Sequence, residues 1–174
     1  SEGDVQALLS LGGAYSAVDG RAAISAFGRA AVGGSTSALH GLGDLYRRGA
    51  PDVPADAGKA LQYFELLGRQ GDQSARRKAA DIYIRGENGA QDIPRAVVIL
   101  RSVAAAGDTQ GFVAIGDLYA RGEFTPIDTE KAISAYRQAA DAGLTDGFLR
   151  LGDLYRTGVV GMRADLESAV AVYE

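Results

Sequence analysis

Four aspartates stand two residues before a tyrosine: Asp44 before Tyr46, Asp81 before Tyr83, Asp117 before Tyr119 and Asp153 before Tyr155. Arginine follows three of them at i+4, as Arg48, Arg85 and Arg121, and the fourth at i+3, as Arg156. On a helix surface such a pair is an exposed ion pair contributing about 0.2–0.5 kcal/mol. Aligned along a groove, the same charges would grip a partner. A third chemistry is glycoside cleavage by two carboxylates about 5–10 Å apart. Against it, these carboxylates recur by period, tryptophan is absent, and the periodic tyrosines are needed for a core. A carbohydrate-binding or saccharide-processing module therefore stands as the alternative to a protein-binding one.

Other chemistries find no residues. There is no cysteine, which removes disulfides, thiol catalysis and thiolate metal sites. The single histidine, His40, has no histidine partner for zinc. Gly41-Leu42-Gly43 lacks the strand that a dinucleotide loop requires, and Gly58-Lys59 is followed by Ala60 rather than Ser or Thr. No serine has lysine three residues on, so the penicillin-binding motif is missing. The reading is a non-enzymatic chain with no cofactor and no metal.

The elements that carry these residues are set by repetition. Tyr15, Tyr46, Tyr83, Tyr119 and Tyr155 mark one place in five copies, the last three steps being 37, 36 and 36 residues. A period of this size means stacked supersecondary units. Eight residues before each tyrosine is a small residue, Ala7, Ala38, Ala75, Gly111 or Gly147, and offsets of four and eight share a helical face. This predicts a helix A in every copy. A helix B is predicted after Asp19, Asp56, Asp92, Asp128 and Asp165, because aspartate satisfies orphan N–H groups and meets the positive end of the helix dipole. Eight residues after each aspartate stands a large side chain, Phe27, Phe64, Leu100, Tyr136 or Tyr173. Helix B is predicted to end at Gly34, Gly71, Gly107 and Gly143 in left-handed caps. Glycines inside helix A, such as Gly43, Gly116 and Gly152, are expected to permit close packing that offsets a cost of about 1 kcal/mol each.

Ala38, Leu42-Gly43, Tyr46, Gly49, Asp56, Lys59-Ala60 and Gly71 together resemble the Sel1-like repeat, a relative of the tetratricopeptide repeat. Gly111, Ile115-Gly116, Tyr119, Gly122, Asp128, Lys131-Ala132 and Gly143 repeat the pattern. Copy one departs through its short Tyr15–Asp19 connection, and copy three through Ala79-Ala80 in place of Leu-Gly. The resemblance implies an all-α fold: a right-handed α-solenoid of antiparallel helix pairs, with A helices lining the concave side. It implies a bacterial protein acting at the envelope or periplasm, including exopolysaccharide export and its regulation.

Residues 1–174 are read as one array of five repeats, about 4–34, 35–71, 72–107, 108–143 and 144–174, cut from a longer solenoid. Self-association through the shortened last repeat is one expectation. A net charge of −4 gives no case for nucleic acid, and no apolar run is long enough to span a membrane. Six residues before each tyrosine lies another row, Leu9, His40, Arg77, Val113 and Leu149. Covered by a neighbouring helix, this row is structural; exposed, it is an apolar strip with a charged rim, the make-up of a partner site. The candidate groove on helix A is Asp44, Arg48, Arg77, Asp81, Arg85, Val113, Asp117, Arg121, Leu149, Asp153 and Arg156.

Overall fold

The computed structural model describes residues 2–87, 89, 91–158 and 163–173. Among these, the A helices are α1 (Glu2–Tyr15), α3 (Thr36–Arg48), α5 (Gln73–Arg85), α7 (Gln110–Arg121) and α9 (Thr145–Thr157). The B helices are α2 (Gly20–Val32), α4 (Ala57–Arg69), α6 (Ile93–Ala105), α8 (Thr129–Asp141) and α10 (Leu166–Tyr173). The described residues contain no strand beyond the isolated bridge between Ala50 and Val53.

The aspartates start the B helices. The side chains of Asp19, Asp56, Asp128 and Asp165 accept the N–H of Ala22, Lys59, Lys131 and Ser168 at 2.9–3.0 Å. Each removes an orphan donor from the first turn. One backbone bond closes every A–B connection, from the aspartate N–H to the tyrosine carbonyl. It runs from Asp19 to Tyr15, Asp56 to Tyr46, Asp92 to Tyr83, Asp128 to Tyr119 and Asp165 to Tyr155, at 2.6–3.0 Å. The short loop of copy one and the longer loops of the others therefore deliver the chain to the same point. At the end of α2, Gly34 takes φ +88° and Ser35 donates back to Ala30, a left-handed cap that repeats at Gly71, Gly107 and Gly143.

The chain forms two compact units, Ser1–Asp92 and Ile93–Glu174, divided between α5 and α6. In the first, Ala23, Phe27, Ala30, Ala38, Leu42 and Leu45 form one buried cluster, and Ala60, Phe64, Leu67, Ala75, Ala79 and Ile82 another. The second unit buries Val113, Tyr136, Leu151, Leu154 and Tyr155 among alanines. Large residues from helix B lie over the glycines of helix A. A Cβ on Gly43 would stand 2.6 Å from the Phe64 ring, and one on Gly116 would overlap the ring of Tyr136. Copy three, with Ala80 in the glycine position, has Leu100 in the ring position.

Candidate protein-interaction surface

Two of the tyrosines that start an A–B connection, Tyr83 and Tyr155, also have a polar handle. Tyr83 donates from its hydroxyl to Glu65 at 2.9 Å, and Arg137 donates to the Tyr155 hydroxyl at 2.7 Å. Glu65 and Arg137 occupy the same place on helix B of the preceding copy. The rings stay in the core while their hydroxyls stitch successive copies, as buried tyrosines require.

The aspartate row lies beside these contacts. Asp81 accepts from Arg85 at 3.0 Å, Asp117 from Arg121 at 2.9 Å and Asp153 from Arg156 at 2.9 Å, within their own helices. Asp44 does not pair with Arg48. Lys78, from the next A helix, donates to both of its oxygens at 2.7 Å, a bidentate charge-assisted contact that the i+4 geometry of Arg48 does not match. Arg48 is exposed.

The row also reaches the helix B rings that fill the core. Tyr136 on α8 donates its hydroxyl to Asp117 at 2.7 Å, and Tyr173 on α10 donates to Asp153 at 3.2 Å. The physical reason is position: each aspartate follows the glycine over which the helix B ring lies, and so meets the hydroxyl at the far end of that ring. Burial, and then the Asp117 carboxylate, raise the Tyr136 phenol well above its ordinary range. Arg156, and then the Tyr173 hydroxyl, hold Asp153 below the usual carboxylate value.

The second row divides. His40 is half-buried, with Nε2 2.7 Å from Asp72 Oδ2 and its ring tilted against Phe64. Asp72 also caps α5 through the Ala75 N–H at 2.9 Å. Burial raises the Asp72 carboxyl, but the Ala75 N–H and His40 outweigh it and leave the pKa lowered. Arg77 is half-buried. Val113 is 6% exposed and sits in the core of the second unit, so it cannot meet a partner. Leu149 is 48% exposed, and the adjacent Phe148 is 43% exposed.

Four residues that the periodic reading passed over organise this surface: Arg47, Lys78, Glu87 and Arg150. Arg47 donates to Glu87 at 2.8 Å and 2.7 Å and also to Asp81, bridging α3 to α5 and to the turn after it. Bonding to Glu87 is the main reason its pKa is raised. Arg150 lies 3.8 Å from Asp117. None belongs to the motif, and a link between copies cannot be read from spacing within one. Among the described residues no group of three or more metal-ligating side chains comes together, and no helix is long and apolar enough to cross a membrane.

Helix pairs joined by one recurring bond, stacked through tyrosines and charged side chains, define a helical-repeat interaction module. More specifically, the chain belongs to the Sel1 repeat family, whose model matches residues 36–72, 113–144 and 149–171. Copies one and three, the two that depart from the pattern, lie outside the matched residues apart from Asp72. Sel1 repeats are generally protein–protein interaction modules, typically non-enzymatic, and they imply protein partners. A Sel1 repeat protein from Oxalobacter formigenes is 30% identical over 87% of this chain, with a TM-score of 0.60. The chain spans 61% of that protein's length. A putative Sel1 repeat protein from Klebsiella pneumoniae is 24% identical, with 98% of this chain and 85% of that one covered and a TM-score of 0.53. The immunity protein Pa5087 from Pseudomonas aeruginosa shares the fold at 19% identity and a TM-score of 0.51, with 97% and 63% covered. No curated protein matches the chain.

Proposed function

We propose that this chain is a non-enzymatic scaffold whose second unit receives a protein partner on α9, around Leu149. The observation that carries the reading is exposed apolar surface at Phe148 and Leu149 on a helix that also presents Arg150, Asp153 and Arg156. Leu149, Asp153 and Arg156 follow at i, i+4 and i+7, so they share one face. An apolar centre with a charged rim is the usual anatomy of a protein interface. Asp117 and Arg121 extend the charged rim on α7. In the first unit, by contrast, Asp44 and Asp81 are engaged between helices, and a partner would have to break those pairs. The setting we infer is the bacterial envelope, in assembly or in exopolysaccharide export and its regulation. It rests on the resemblance of the repeats and on the bacterial origin of the similar structures.

The test places a photo-crosslinking residue at Leu149 and, as control, at the exposed Leu66 of α4. The expected outcome is one envelope protein joined at position 149 and not at 66, with its retention lost in a folded Leu149→Asp, Asp153→Lys variant. Equal crosslinking at both positions, or retention unchanged by the substitutions, refutes the surface. Recovery of the full-length protein solely in the cytosol removes the envelope setting.

A further inference from the structure

The seam between successive A helices is built from different chemistry in the two units. In the first unit, α3 meets α5 through charged and polar side chains. His40 binds Asp72 at 2.7 Å, Lys78 binds both oxygens of Asp44 at 2.7 Å, and Arg47 holds Asp81 and Glu87. In the second unit, α7 and α9 carry Val113 in the place of His40, Leu144 in that of Asp72 and Ala120 in that of Arg47. All three lie in or against the buried cluster. Among the described residues the Lys78–Asp44 contact alone has a charged counterpart there, Arg150 at 3.8 Å from Asp117, and Gln110 donates to Asp146 across the same seam at 3.4 Å.

The ion-pair side chains of the first seam are not sealed from water. Arg47 is 21% exposed and Asp81 39%, and Lys78 is 31% exposed and Asp44 37%. Salt shortens the reach of such charges, from a Debye length of about 10 Å at 0.1 M to about 3 Å at 1 M. Apolar contacts gain nothing from low salt. We propose that the α3–α5 seam is an ionic-strength-responsive joint, loosening as salt rises while the α7–α9 seam holds. The Phe64 ring beneath the joint contacts both the His40 ring and the Lys78 ammonium, so loosening of the charges also uncovers a core side chain.

Amide hydrogen exchange of the whole chain, compared between about 0.05 M and about 1 M sodium chloride, tests this. The expected result is roughly three- to tenfold faster exchange across α5 at high salt, with α9 unchanged or slower. Arg47→Met with Lys78→Met keeps the aliphatic stems and removes the two cations that pair across the seam. In that variant α5 should exchange faster at low salt, and its acceleration by salt should be lost or reversed, because the carboxylates left behind repel one another and salt screens them. Should the double variant fold poorly, His40→Val with Asp72→Asn removes the His40–Asp72 contact while keeping the cap of α5, and should reduce the salt response. Equal salt effects on α5 and α9, or undiminished acceleration by salt in the variant without the two cations, overturns the proposal.

Discussion

Replacing Gly43 with alanine should destabilise the first unit, although alanine is the better helix former. The new methyl carbon would stand 2.6 Å from Phe64 Cε1, 2.9 Å from Cζ and 3.1 Å from Cδ1. Phe64 is 0% exposed, so its ring has nowhere to retreat. Helix propensity favours alanine by about 1 kcal/mol. Overpacking of a filled core costs about 1–3 kcal/mol, and a rigid ring with no exit belongs at the upper end. The net loss is then about 1–2 kcal/mol, a fall in Tm of roughly 2–8 °C for a chain of this size. The control is Gly28→Ala within α2, where a Cβ meets nothing within 4 Å. That change should stabilise by up to about 1 kcal/mol. Adding Phe64→Leu to Gly43→Ala recreates the Ala80 and Leu100 combination of copy three, and in that background the alanine should be neutral or stabilising. Thermal and urea melts followed by circular dichroism read the parent, the two single glycine variants, Phe64→Leu and the double variant. A Gly43→Ala protein as stable as Gly28→Ala would show that the glycine does not hold space for the ring.

Asp72→Ala removes both the cap of α5 and the partner of His40, and should cost about 1–2 kcal/mol, with Asp72→Asn losing less because it still caps; urea midpoints check this. Tyr136→Phe should cost about 1 kcal/mol by deleting the hydrogen bond to Asp117. In ultraviolet titration the same change should remove a tyrosine that ionises well above the ordinary phenol range; an unaltered alkaline end of the titration would contradict this. Asp56, Asp72, Asp128, Asp153 and Asp165 all have lowered carboxyl pKa values in the folded chain. Their contribution is present above the unfolded value of about 3.9 and is lost as pH falls through the folded values. Tm should therefore decline as pH drops below about 4, and a rise over that range would refute the assignment.

The helices and their limits were legible in the sequence because they depend on local chemistry repeated five times. An aspartate caps whatever helix follows it, a glycine ends one in a left-handed turn, and a small–aliphatic–aromatic stripe at offsets of four has one face to bury. Gly43 and Phe64 could likewise be paired as space and filler, since both recur by period. The surface was less legible. Spacing placed Arg48 beside Asp44, but which cation reaches a carboxylate depends on the neighbouring helix, and Lys78 wins from there with two bonds. Val113 and Leu149 hold the same place in the repeat, yet one is buried and the other open, because burial depends on what lies against a helix. Arg47, Lys78 and Glu87 follow no motif, and only the packing of α5 on α3 makes them one network. The period thus determined what each copy folds into, through contacts a few residues apart. Tertiary structure decided which side chains remain available, because that is settled by contacts 30 to 40 residues apart, such as Lys78 with Asp44 and Arg47 with Glu87.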